Sequence, residues 1–313
     1  MATVAILFAG QGAQHEGMGA ELAAAEPAAR AVFDLCDRLR PGTSAQCFEA
    51  PVAELSQTQN TQPCMWAVDL ACARALAARG VEASHVAGFS LGELAALAFA
   101  GVLSDEDAFA TVCRRSKLMA DACAATPGAM LAVLKLEPAR VEELAEQAGA
   151  WPVNYNSPVQ TVCAGSPQAI EQLAALVKEA GGRAMPLNVS GAFHSPHMEA
   201  ASLGLAEALA EVAVGPAQVP VWANATAAPY PAEASEAKAL LARQVASPVR
   251  WAQTLQALAD GGVDTFIEVG PGKVLTGLVK RTLPGAVALS CETPADLQAV
   301  LEALGIAPAD DLR

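Results

Sequence analysis

The chain has 313 residues, more than one small core needs, so one large domain carrying a smaller one is the first expectation. Hydrophobic residues make up 53% and aromatics only 4%, so the interior is built mainly from Ala, Val and Leu, which favours helix-covered α/β sheets over an all-β sandwich. A net charge of -14, from 19 Lys and Arg against 33 Asp and Glu, argues against nucleic acid as a partner; an acidic ligand would need a local cationic patch.

In chain order, an apolar strand over 3–9 ends in the turn "GQG" and lacks a basic leader. No window is long and uncharged enough to span a bilayer, because Glu93 interrupts the best Ala/Leu run; no membrane contact and a cytoplasmic location are expected. Helical stretches to about residue 40 precede a long polar connection over 41–63, then a helix over 64–79 closed by Gly80. A strand over 86–89 runs into a serine turn and a helix ended by Gly101. "SDED" at 104–107 joins an N-cap to acidic first-turn residues and starts a helix to about 125. From 129 to 189 the order is strand, helix, strand, strand, helix, strand, the pattern of a ferredoxin-like unit. Helices from about 195 and 235, a β-like stretch over 219–224, a strand over 264–269, a "GPG" turn and a further helix follow. The expected fold class is α/β: a large α/β-hydrolase-like domain with a parallel sheet core, residues 1–127 and 191–313, carrying an inserted ferredoxin-like (βαββαβ) subdomain, 128–190. The hinges fall near 126–128 and 190–193.

Eight cysteines are scattered singly, mostly in apolar runs and without ligand spacing, so they are expected as buried thiols in a reducing compartment, with no metal site. "GFSLG" at 88–92 places Ser90 between two glycines where the strand becomes a helix. That spacing arises by chance in about one chain in ten of this length, and a plain turn serine is the alternative. The context favours chemistry: small residues let strand and helix approach, the serine projects, and the helix N-terminus aims N–H groups at a reacting oxygen. A serine needs a base, and the histidines are His15, His85, His194 and His197. His194 lies in the glycine-containing loop "SGAFHSPHM", where a side chain can point into a cleft; His197 falls in the first turn of the next helix. Acids are too plentiful to single out a third triad member, so its place is open to a carboxylate or a backbone carbonyl. "AGQGAQ" at 9–14 is either a second oxyanion donor or a plain turn. Arg115 sits mid-helix among apolar neighbours, where spacing alone favours a snorkelling side chain over a buried carboxylate partner.

Taken together, "GQG", "TQP" at 61–63, "GFSLGE", "RSKLM" at 115–119, "NYNSP", "GAFHS", "RQVASPVRW" and "EVGPGKVLTGL" at 268–278 resemble the malonyl-CoA:acyl carrier protein transacylases of fatty-acid and polyketide synthesis, nearly end to end. The resemblance implies Ser90 as acylated nucleophile, His194 as general base and acid, and Gln11 and Leu91 as oxyanion N–H donors. It also implies Arg115 as partner of the malonate carboxylate, Gln244 as the residue whose backbone carbonyl orients the histidine, and Asn156 near the site. It implies malonyl-CoA as substrate, an acyl carrier protein as partner, and no cofactor beyond the phosphopantetheine that the partner carries. "GAFH" is the version associated there with malonyl over methylmalonyl substrates, while Phe89 replaces a histidine that most members carry. Alternatives are a polyketide acyltransferase, the malonyltransferase of a malonate decarboxylase, and a serine thioesterase or hydrolase. A monomer is expected, and Lys117, Arg183, Lys273, Lys280 and Arg281 are the basic residues from which a carrier-docking patch could be drawn.

Overall fold

In the computed structural model, which describes residues 2–189 and 191–307, strand β1 (Val4–Phe8) is buried throughout and lies inside the larger sheet. Its unbroken apolar run is what a parallel strand covered on both faces requires. Helices α1 (Ala20–Ala25) and α2 (Pro27–Leu39) follow, then α3 (Thr43–Glu49), α4 (Val52–Leu55) and α5 (Thr58–Ala78). The polar connection expected over 41–63 is therefore mostly helical. Helices α3 and α4 are short, with few buried residues each, so they carry little periodic signal. Pro63 is the sixth residue of α5, inside the helix, where its missing N–H forgoes one intrahelical hydrogen bond. Next come β2 (His85–Gly88), α6 (Gly92–Phe99) and α7 (Asp105–Ala125), the last capped by Ser104, whose hydroxyl accepts from the Asp107 N–H at 3.0 Å.

The segment β3 (Ala129–Leu134), α8 (Pro138–Ala148), β4 (Trp151–Ser157), β5 (Gln160–Gly165), α9 (Pro167–Glu179) and β6 (Arg183–Pro186) has the expected order. Its four strands form an antiparallel sheet in the order β4-β5-β3-β6. Ser190, at the start of the return connection, lies outside the described residues. The chain continues through a 3-10 turn (Pro196–Met198), α10 (Glu199–Leu209), β7 (Val221–Ala223), β8 (Ala228–Pro229), α11 (Ala234–Arg243), a second 3-10 turn (Gln244–Ala246) and α12 (Trp251–Asp260). It ends with β9 (Thr265–Val269), α13 (Val274–Thr282), β10 (Val287–Cys291) and α14 (Pro294–Leu304); β10 and α14 were not expected from the sequence.

The larger sheet has the order β10-β9-β1-β2-β7-β8, parallel except for β8 at one edge. The chain is thus mixed α/β, with a parallel sheet core and a second, smaller antiparallel sheet. The small sheet is tied through β4 to the segment just before α12: Val249 N–H donates to Val153 O at 2.8 Å and Tyr155 N–H to Val249 O at 2.9 Å. Among the described residues, no helix is long and apolar enough to cross a membrane.

Candidate active site

The C-terminal ends of β1 and β2 open together, and the turn after β2 carries Ser90 there. Ser90 has φ +54°, a left-handed backbone conformation that a non-glycine residue adopts only at a cost. The turn is tight enough that a Cβ on Gly88 would lie 2.0 Å from the Gly92 carbonyl carbon, and one on Gly92 would lie 2.5 Å from the Phe8 and Ala9 oxygens. Both glycines are therefore demanded by close approach of β1, β2 and α6. Among the described residues, the N–H groups of Gln11 and Leu91 have no hydrogen-bond partner, and both residues line the cleft in which Ser90 stands.

His194 also has a left-handed backbone, φ +60°, and is 4% exposed. Its Nδ1 faces the carbonyls of Gln244 and Ser247, both at 3.1 Å. Carbonyls only accept, so Nδ1 carries the proton and the other nitrogen, Nε2, is left to accept from Ser90 Oγ at 2.7 Å. The orienting group is a pair of backbone carbonyls, not a carboxylate. Burial, and then the positive charge of Arg115, lower the imidazole from 6.5 to about 4, against the raising effect of the two carbonyls.

Arg115 does not snorkel: it is 1% exposed. Its Nη1 donates to Gln62 Oε1 at 2.6 Å, and its Nη2 to Gln244 Oε1 at 2.9 Å and Ser90 Oγ at 3.2 Å. Among the described residues, its Nε has no partner. The expected alternative of a buried carboxylate in contact is not met either, because its side-chain partners are two neutral amides and a hydroxyl. Burial lowers its pKa to about 10, opposed by Glu93 and Tyr230, so the guanidinium stays charged at neutral pH with no carboxylate on it.

The remaining sequence expectations separate cleanly. Gln244 touches three parts of the site: its carbonyl holds His194, its Oε1 takes Arg115, and its Nε2 donates to Ser90 O at 2.6 Å. Asn156 lines the cleft from the small sheet; among the described residues its buried Oδ1 has no partner, and it has no hydrogen bond to Ser90 or His194. His15 is at 2.5 Å from Glu292, His85 lies beside Ser84, and His197 is edge-on to Trp151, all away from Ser90. Phe89 lines the cleft with its ring edge-on to Trp251, 5.3 Å between centroids. Sequence reasoning passed over Gln62, Glu93, Asn224 and Ser247 as site residues. Gln62 was visible inside "TQP"; Asn224 and Ser247 sit far along the chain and reach Ser90 and His194, respectively, only through folding. The cleft, about 230 Å³, is floored by the turns that follow β1 and β2 and roofed by side chains of the small sheet, among them Met130, Val162 and Asn154. Among the described residues, no group of three or more His, Cys, Asp or Glu could hold a metal ion.

These features have counterparts among known proteins. The sequence profile of the acyl transferase domain matches residues 6–297. The malonyl CoA-acyl carrier protein transacylase of Bacillus subtilis (strain 168) is 37% identical over 311 residues, 97% of this chain and 98% of that relative. The crystal structure of MCAT from Streptococcus pneumoniae superposes with a TM-score of 0.91 at 38% identity, covering 96% of this chain and 100% of that one. A malonyl-transacylase solved in complex with its type II PKS acyl-carrier protein, PlMCAT:AntF, superposes with a TM-score of 0.92 at 35% identity, covering 96% and 100%. The chain belongs to the acyl transferase domain family and, within it, to the malonyl CoA-acyl carrier protein transacylases.

Proposed function

We propose that the protein moves a malonyl group from malonyl-CoA to the phosphopantetheine thiol of an acyl carrier protein, through a malonyl ester of Ser90, in the service of fatty-acid synthesis. The observation that carries this reading is a buried, charged Arg115 without a carboxylate partner, 3.2 Å from the Ser90 hydroxyl. A free carboxylate on the acyl group supplies what that guanidinium lacks. An acyl donor without it would leave the fork desolvated, a discrimination of about 3 to 5 kcal/mol.

The steps are ping-pong. Ser90 Oγ attacks the thioester carbonyl carbon while its proton passes to His194 Nε2, and the N–H groups of Gln11 and Leu91 hold the tetrahedral oxyanion. Collapse breaks the C–S bond, and the proton on Nε2 goes to the coenzyme A sulfur. In the second half, the carrier thiol gives its proton to Nε2 as its sulfur attacks the ester, and collapse returns the proton to Ser90 Oγ. An acyl group exchanged between thioester and ester moves no net electrons, so the chemistry calls for no redox cofactor. The turn at Ser90 works as the nucleophile elbow of α/β-hydrolase-like proteins does. Residues 128–190 form an inserted subdomain, with 1–127 and 191–313 as the acyltransferase body, and Asn156 lends its amide to the cleft. The same reading takes the protein as a monomer in the cytoplasm.

A polyketide carrier is the second reading, favoured by the likeness to a transacylase solved with a type II PKS carrier; the chemistry at Ser90 is the same. The test is intact-protein mass after brief mixing with malonyl-CoA or acetyl-CoA. A malonyl adduct on the wild type, absent in Ser90→Ala and displaced towards acetyl in Arg115→Ala, is the expected result. Release of free coenzyme A with no adduct would make the protein a hydrolase, and no reaction would overturn the reading.

A further inference from the structure

Ser90 sits in a left-handed backbone conformation, φ +54°, that a serine adopts only at a cost, so something outside the turn must hold it there. Its carbonyl is taken by Gln244 Nε2, and its N–H donates to Asn224 Oδ1 at 2.7 Å. The same side chain donates from Nδ2 to Gly88 O at 2.6 Å. One amide thus clasps the last residue of β2 and the serine itself, 134 residues away in sequence. Asn224 is 1% exposed and is itself anchored from two elements. Its N–H donates to Glu93 Oε2 at 2.7 Å, in the first turn of α6, and its carbonyl accepts from the Arg250 N–H at 2.9 Å, at the start of α12. Tyr230 donates its hydroxyl to the other oxygen of Glu93. All four polar atoms of Asn224 are therefore hydrogen-bonded, none of them to Ser90 Oγ or His194.

We propose that Asn224 is the positioning residue of the nucleophile: its amide bridges Gly88 and Ser90 and holds the turn in the conformation from which Oγ reaches His194 and the bound thioester. The inference rests on Ser90 being the acylated residue. Because Asn224 takes the Ser90 N–H, that group is unavailable to an oxyanion, and the adjacent Leu91 N–H is left to serve. A displacement of the turn by about 1 Å is enough to cost on the order of 100-fold in rate without touching substrate affinity.

Asn224→Asp separates positioning from mere stability. The introduced carboxyl is nearly isosteric; ionised, it can still accept from the Ser90 N–H but repels the Gly88 carbonyl, whereas protonated it can donate there again. The groups facing it are Glu93 of α6 and Tyr230 beside it, Arg115 and His194 across the turn, and Arg250 behind; the Glu93 carboxyl and the Gly88 carbonyl favour its protonated form.

The experiment measures malonyl-enzyme formation and coenzyme A release from pH 5 to 8 for wild type, Asn224→Ala and Asn224→Asp, with the melting temperature of each. Expected at pH 8 is a loss of about 100-fold in kcat for both variants, with KM for malonyl-CoA within about threefold of wild type. On lowering to pH 5, Asn224→Asp regains at least about tenfold relative to wild type while Asn224→Ala regains nothing. Rates within threefold of wild type at every pH, or a loss in Asn224→Asp that ignores pH and follows its melting temperature, overturn the proposal. If the wild type forms no malonyl adduct, the reading of Ser90 falls and this inference with it; if it does, failure of the variants to respond condemns the inference alone.

Discussion

In the proposed reaction His194 takes a proton from Ser90 at neutral pH and has to be neutral beforehand, and two features keep it so. Burial and the Arg115 charge both disfavour imidazolium and bring its pKa from 6.5 to about 4. The neutral base is therefore fully present above pH 5, so kcat/KM for malonyl-CoA should hold down to about pH 5 and fall only below it, instead of halving near pH 6.5. The sign for folding is the same: a lowered pKa contributes stability that is present above 6.5 and lost as pH falls towards 4. Once a malonyl carboxylate pairs with Arg115, the charge opposing imidazolium is cancelled and the base becomes stronger. The acid limb of kcat, which reports the bound complex, should accordingly lie at higher pH than that of kcat/KM. Coenzyme A release measured across pH 4 to 8 checks both, and coincident limbs would remove Arg115 as the group paired with substrate.

At the scale of elements, the site depends on how closely two strands and a helix meet. Gly88→Ala would drive a Cβ to 2.0 Å from the Gly92 backbone, which cannot give way as a flexible side chain could. A loss above about 3 kcal/mol is expected, seen as a fall in denaturant midpoint at unchanged m-value; a midpoint within error of wild type would mean the turn is looser than its geometry indicates. The motif "EVGPGKVLTGL" has a structural role at this scale. The Glu268 carboxylate accepts from the N–H groups of Leu275 and Thr276 at 2.9 and 2.7 Å and so closes the N-terminus of α13. That fixes the helix whose Val274, Leu278 and Arg281 form one wall of the cleft.

For the whole molecule, the cleft exists only because the small sheet is held over the large one, and β4 joins the segment that orients the base: Val249 pairs with β4 two residues after Ser247, whose carbonyl holds His194. At the mouth, Arg281 reaches from α13 to Gln160 Oε1 of β5 at 3.3 Å. In a chain of net charge -14, it is a local cation where an acidic carrier would have to present its thiol. Arg281→Glu should raise KM for the carrier about tenfold and weaken its dependence on salt, with the Ser90 turn intact; steady-state kinetics at two ionic strengths would show it, and an unchanged KM would move docking elsewhere.

Local patterns made much of this legible. The uninterrupted apolar run of β1, the Ser104 cap, the βαββαβ order of 129–186 and the glycines flanking Ser90 each depend on neighbours within a few residues, so the sequence by itself determined the α/β class, the two-sheet division, the tight turn at Ser90 and, by motif, the His194 that meets it. What only the tertiary structure decided involves partners brought from far along the chain. Asn224 and Gln244 reach Ser90 across more than 130 residues, two carbonyls stand where a carboxylate could have stood, and Arg115 is buried on Gln62 and Gln244 although its helical spacing suits a snorkelling side chain. Periodicity reports which face of an element is buried; which groups meet there is set by sheet order and by the hydrogen bonds that burial obliges each polar atom to find.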